Sequence, residues 1–291
     1  MQLVESDIKL QERLEQAEIT ALFYYPIKSC AGIAVSEAEV IETGFLHDRE
    51  LMLIEAHSGS FLTQRELPAL ALVHPYIEND LLRLNAPGMP ELEIPLIKES
   101  QSIPSIVWRD NCESIDQGNE VADWFKHYLK VDCRLVRLAP DFPRRIDPNY
   151  ATSQNDQVSF ADAFPFLLLS EESLADLNQR LAVTLPMSRF RPNIVMAGSG
   201  IAYAEDYVKY IGFGEVTFAV VKPCARCKIT TTDQLTSEVG KEPLRTLATY
   251  RKIPNGGVIF GQNLIQQGRG RLKVGDKAKV QELKPGPALV G

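Results

Sequence analysis

The first half of the chain is cut into short runs of β-patterned sequence by proline, glycine and Asx residues, and this limits the fold more than any other feature. Residues 19–25, 34–42, 51–55, 60–63, 72–77, 81–85, 92–95 and 103–109 each carry apolar or alternating side chains. Ser58-Gly59 between two of these runs is a hairpin signal. None of the runs is long enough for a helix of ordinary length. Many short strands at close spacing predict a twisted antiparallel sheet or barrel, which buries its edges by curling.

The period then changes. Val121, Ala122, Trp124, Phe125, Tyr128 and Leu129 recur at helical spacing over 119–129, with Asp116 available as a cap, and 133–138 returns to strand. Residues 139–157 hold three Asp, three Pro and two Arg among few apolar residues, the composition of a linker or an ordered loop at a site. The division expected is an N-terminal extension over 1–17, with Ser6 capping a short helix, a β-barrel-like domain over 18–138 and a second, mostly β domain over 139–285. In the second domain, residues 165–169 read as a buried strand and Ser170 as the N-cap of a helix carrying Leu174, Leu177 and Leu181. Residues 242–250 read as a short helix and 271–280 as two strands around a turn. The fold class is mostly β with some α.

Composition excludes several functions. A net charge of −7 argues against a nucleic-acid binder, which needs a basic face. No stretch approaches the roughly 20 apolar residues of a membrane span, and the first residues lack the regions of a signal peptide, so a cytoplasmic protein is expected. Five cysteines, an odd number, in a chain of 291 residues do not form a disulfide framework. Structural zinc is disfavoured, because Cys224 and Cys227 make the one close pair and no histidine lies within about twenty residues of it.

That pair is the centre of the chemistry. The apolar run 216–221 reads as a buried strand that Pro223 ends, placing Cys224, Arg226 and Cys227 on the turn that follows. A thiol beside a guanidinium is biased toward thiolate, the form that binds soft metals. Cations recur at other loops and strand edges: Lys28 with Ser29, Arg49 after His47-Asp48, and Arg191 before Asn193. In an acidic chain this suits an anionic ligand such as phosphate, with lysine as a point charge and arginine as a forked donor. Asn193 adds a donor and an acceptor suited to an amide-bearing heterocycle. Cys30 and Cys133 read as buried small hydrophobes.

The segments YYPIKSCAGI, GFLHDRELMLIE, FLTQRELPALALV, FPFLLLSEESLADLNQRL, FRPNIVM, YAEDYV and KPCARCKITTTD, in this order, resemble the MOSC family (molybdenum cofactor sulfurase C-terminal domain) with its N-terminal β-barrel partner. The likeness spans about residues 18 to 283. It implies two β-barrel-like domains and a molybdopterin cofactor whose molybdenum takes one protein thiolate. The matching ligand is Cys227. Lys28, Ser29, Arg49, Arg191, Asn193 and Arg226 match residues that hold the cofactor's phosphate and pterin. Asp162, Ala163 and Asn263 stand where relatives approach it, and Ala225 stands where relatives often have serine.

The resemblance further implies reduction of N-hydroxylated small molecules such as hydroxylamines, amidoximes and N-hydroxylated bases. The alternative is a carrier of cofactor or sulfur with no reductase activity. Asp233, beyond the cysteine turn, reads as a proton relay or as an ordinary turn-stabilising aspartate. No cysteine follows Cys227, so an iron–sulfur cluster is not expected in this chain. The electron donor would be a separate ferredoxin-, flavoprotein- or cytochrome-type protein. A pyridoxal-phosphate domain is not expected in a chain of this length, nor is a counterpart of the targeting and anchoring segment of the family's mitochondrial members.

Overall fold

A computed structural model describes residues 5–254 and 256–290. It is mostly strand, arranged in four sheets. The largest has eight strands in the order Lys279–Leu283, Val208–Phe213, Val216–Ala225, Ile259–Gln266, Phe166–Ser170, Ile194–Ala197, Glu18–Tyr24 and Ile33–Val35. Its pairings are antiparallel except for Phe166–Ser170 beside Ile194–Ala197, whose connection carries the helix Glu171–Gln179. That is the crossover a parallel pair requires. One core lies on this sheet, where Phe45, Phe166 and Phe218 meet edge to face at centroid distances of 4.9 and 5.2 Å.

Two of the smaller sheets belong to the first half of the chain. Leu51–Glu55, Cys133–Leu138, Asp110–Asp116 and Ile103–Val107 form one, and His74–Glu78, Leu81–Asn85 and Leu92–Pro95 form a meander. The helix Asn119–Leu129 closes their core by burying Val121, Trp124 and Phe125. Glu37–Ile41 and Gly44–Phe45 join Gly270–Lys273, from the far end of the chain, in a third small sheet. Both ends of the chain therefore tie the halves together. Glu18–Tyr24 pairs with Ile194–Ala197, and Glu37–Ile41 pairs with Gly270–Lys273.

Several local expectations change. Residues 34–42 are not one strand: Val35 pairs with Leu22 whereas Glu37 pairs with Lys273, so the run splits at Ser36 between two sheets. The strand expected over 103–109 ends at Val107, and Trp108 turns the chain into a strand, Asp110–Asp116, that the sequence reading missed. Asp116 does not cap the following helix. Its carboxylate accepts from Gly118 N–H, and Gly118 is the N-cap. The helix over 242–250 shortens to Leu244–Leu247. Gly270–Lys273 and Lys279–Leu283 flank a turn but belong to different sheets. Ser6 lies inside the helix Glu5–Leu14 rather than capping it, and its side chain is outside the described residues. Ser170 does cap its helix, accepting from Ser173 N–H at 3.2 Å. Among the described residues no helix is long and apolar enough to cross a membrane.

Candidate functional site

The strand Val216–Ala225 does not end at Pro223. It continues to Ala225 as an interior strand, with register shifts between Val220 and Lys222 and between Pro223 and Ala225. An interior proline lacks a ladder donor and is tolerated where bulges interrupt the pairing. The two irregularities bring Lys222, Pro223, Cys224, Ala225, Arg226 and Cys227 to the wall of a cleft of about 280 Å³. Cys227 starts the short 3₁₀ turn Lys228–Thr231, and both thiols are half-buried.

Lys28, Ser29, Arg49, Asp162, Ala163, Arg191, Asn193 and Asn263 line the same cleft. These eight residues and the cysteine turn thus converge from loops and strands that span 236 positions of sequence, from Lys28 to Asn263. Three of the residues, Ser29, Arg49 and Arg191, have left-handed backbone, with φ of 70°, 48° and 56°. Non-glycine residues rarely adopt it, and such conformations cluster at functional sites.

Tyr25 organises the cationic wall. Its ring is buried, its hydroxyl donates to Pro192 C=O at 2.9 Å, and the Arg49 and Arg191 guanidinium carbons lie 4.1 and 4.3 Å from its centroid. Both arginines are thereby held by cation–π contact. Arg49 also donates to Asp48 at 2.6 Å and to Asn193 Oδ1 at 3.0 Å. Burial pushes the Tyr25 phenol up to about 12 and lowers Arg191 to about 10. Asn193 Oδ1 also accepts from Leu167 N–H and its Nδ2 donates to Phe23 C=O, so the side chain fixes Arg49 while lining the cleft.

On the opposite side Lys28 is buried, donating to Phe160 C=O at 2.7 Å and to Asp162. Burial lowers its pKa, with Asp162 opposing that shift. Lys28 and Arg65 together hold the Asp162 carboxyl well below the usual carboxylate range. The guanidinium on the Cys227 sulfur is not that of Arg226. Arg226 Nη1 donates to Cys224 Sγ at 2.8 Å and Nη2 to Phe190 C=O at 2.7 Å, while Arg65 Nη2 lies 3.4 Å from Cys227 Sγ. The sequence reading missed Arg65, whose sulfur is 162 positions away. Its neighbour Gln64 pairs with Gln234 through both amides, so this loop clasps the cysteine turn.

Asp233 stands outside the cleft lining. It accepts from Leu235 and Thr236 N–H at 2.9 and 3.0 Å and from Arg189 at 2.6 Å, which makes it a brace for the turn. Cys30, Cys112 and Cys133 are buried, and desolvation pushes their thiols up to about 12, 11 and 11. Only Cys224 and Cys227 remain as half-exposed thiols among the described residues.

Comparison with known proteins accounts for this architecture. Residues 16–132 match the MOSC N-terminal beta barrel domain and residues 155–279 match the MOSC domain. Mitochondrial amidoxime-reducing component 1 of Mus musculus is 38% identical over 289 residues, covering 91% of this chain and 83% of its own. Mitochondrial amidoxime reducing component 2 of Bos taurus is 36% identical, covering 91% and 84%. Molybdenum cofactor sulfurase of Arabidopsis thaliana is 31% identical, but the match covers 34% of that longer protein and 89% of this one. With both domains matched and relatives of this identity aligned over most of their length, the chain belongs to the MOSC family.

Proposed function

We propose that this protein is a molybdenum-cofactor-dependent oxidoreductase that reduces N-hydroxylated substrates, with Cys227 as the protein's ligand to molybdenum. The observation that carries the reading is a half-buried thiol at the wall of a cleft lined by five cations, Lys28, Arg49, Arg191, Lys222 and Arg226, in a chain of net charge −7. An anionic dithiolene with a phosphate fits that donor set. One further feature favours it: Arg226 Nε is buried without a partner. The names of the mouse and bovine relatives supply the amidoxime class.

When bound, the cofactor supplies the two-electron centre at which an N-hydroxyl group, two electrons and two protons become an amine and water. The chain's residues bind and orient. Arg49 and Arg191, fixed on Tyr25, would hold the cofactor's phosphate and pterin together with Lys28, Ser29 and Arg226. Ala163, Ala225 and Asn263 contribute shape and backbone contacts. Asp162 stays ionised, so it orients Lys28 and Arg65 and does not donate a proton. Asp233 braces the cysteine turn. Residues 18–138 and 139–285 act as the two domains. Electrons come from a separate ferredoxin-, flavoprotein- or cytochrome-type partner, and our reading includes a cytoplasmic location.

The test is metal and pterin content after expression in a molybdenum-cofactor-competent host. Near-stoichiometric molybdenum, lost in Cys227→Ser, together with benzamidoxime reduction by a chemical reductant, is the expected result. Bound cofactor without turnover of any N-hydroxylated compound would favour the carrier. Wild-type protein free of molybdenum would sink the assignment.

A further inference from the structure

Trp108 occupies the tip of the turn between Ile103–Val107 and Asp110–Asp116. It is 47% exposed and has left-handed backbone, φ 58°. An exposed indole in that conformation is unfavourable on both counts. The surroundings nonetheless hold it firmly. Its Nε1 donates to Asp162 at 3.1 Å, the Arg65 guanidinium carbon lies 4.5 Å from its ring centroid, and Phe61 packs at 5.0 Å. Asp162 lines the cleft, and the same Arg65 reaches Cys227 Sγ. The indole is therefore one guanidinium away from the reactive sulfur, rigid, and open to solvent over much of its surface.

We propose that Trp108 is a specificity-determining residue, a stacking platform at the cleft mouth for neutral, planar aromatic or heteroaromatic N-hydroxylated substrates. This rests on the reductase reading above. Stacking supplies the preference for a flat ring, because every aromatic ring has a π-face and a rigid indole loses little entropy in meeting it. The charge around the mouth supplies the preference for neutrality. Arg65 and Lys28 both pair with Asp162, the carboxylate in contact with the indole, and the exposed Lys228 donates to Arg65 C=O. A cationic substrate would find no free counter-charge there.

The experiment compares holoenzymes carrying Trp108, Trp108→Phe and Trp108→Ala on benzamidoxime and acetamidoxime, with molybdenum content measured in each. Expected is a roughly tenfold fall in the benzamidoxime-to-acetamidoxime ratio of kcat/KM for Trp108→Ala, carried by KM, and a change under about twofold for Trp108→Phe. A binding readout is independent of turnover. The chain has two tryptophans and Trp124 is 7% exposed. Benzamidoxime added to oxidised holoenzyme without reductant should therefore quench the Trp108 emission saturably, and the quench should vanish in Trp108→Phe. A ratio unchanged in Trp108→Ala, or a parallel loss of molybdenum in both variants, overturns the platform and assigns the indole to bracing Asp162. Failure of the reductase reading is distinct, since wild type would then turn over neither amidoxime.

Discussion

Glu205 is fully buried, accepts from Ser170 Oγ at 2.9 Å and Ser173 Oγ at 2.7 Å, and is adjacent to the buried Asp206. Desolvation, with a smaller push from Asp206, raises its pKa from 4.5 to about 7. No cation donates to it among its hydrogen bonds. The folded pKa lies above the unfolded one, so its contribution to stability is fully present below about 4.5 and lost as pH rises toward 7. At about 1.36 kcal/mol per unit of pKa difference, the loss between pH 5 and 8 is on the order of 3 kcal/mol. Glu205→Gln removes the titration while keeping the shape. The variant should lose stability relative to wild type at pH 5 and regain that difference by pH 8. In melting curves this is a relative shift on the order of 5–10 °C, taking about 2–4 °C per kcal/mol for a chain this long. Parallel pH profiles for the two proteins, measured by circular dichroism from pH 5 to 8, would refute the reasoning.

Two further outcomes follow from buried contacts. A Cβ on Gly32 would lie 2.4 Å from Tyr25 Cε1, so Gly32→Ala should cost about 1–3 kcal/mol by overpacking, and molybdenum content should fall with the melting temperature as Arg49 and Arg191 lose their seat. Asp206 accepts from Arg251 and Gln262 at 2.6 Å each, with Arg251 equally buried. Asp206→Asn turns an amide N–H toward one of these donors and leaves Arg251 without its counter-charge, so chemical denaturation should show a loss of about 3–5 kcal/mol.

Much of the fold was legible because its elements are locally consistent. The helix Asn119–Leu129 and the strand Cys133–Leu138 stand where periodicity puts them. The failures have tertiary causes. Pro223 reads as a breaker because a sequence does not show that bulges on both sides relieve its missing donor. Residues 34–42 read as one strand because the switch at Ser36 depends on partners at Leu22 and Lys273. At the site, the cations and the cysteine pair were visible as residue types, and the cleft gathers them. What sequence could not give is which cation meets which sulfur. Arg226 is adjacent to Cys227 in sequence yet turns to Cys224, and Arg65 arrives from a turn in the first half of the chain. Trp108 carries no motif, and its importance rests on backbone conformation and on neighbours distant in sequence.

The interlocking of the two halves bears on how this protein is made. Glu18–Tyr24 cannot complete its ladder until Ile194–Ala197 has emerged from the ribosome, and Glu37–Ile41 waits for Gly270–Lys273. During synthesis each early strand, paired only with its neighbour in sequence, therefore keeps one edge open for most of translation, a state that invites pairing with other chains. Such long-range closure slows folding. A nascent chain of this design gains from chaperone cover until its last strands arrive, and splitting the gene between the two matched domains would yield two fragments with open sheet edges rather than two working modules.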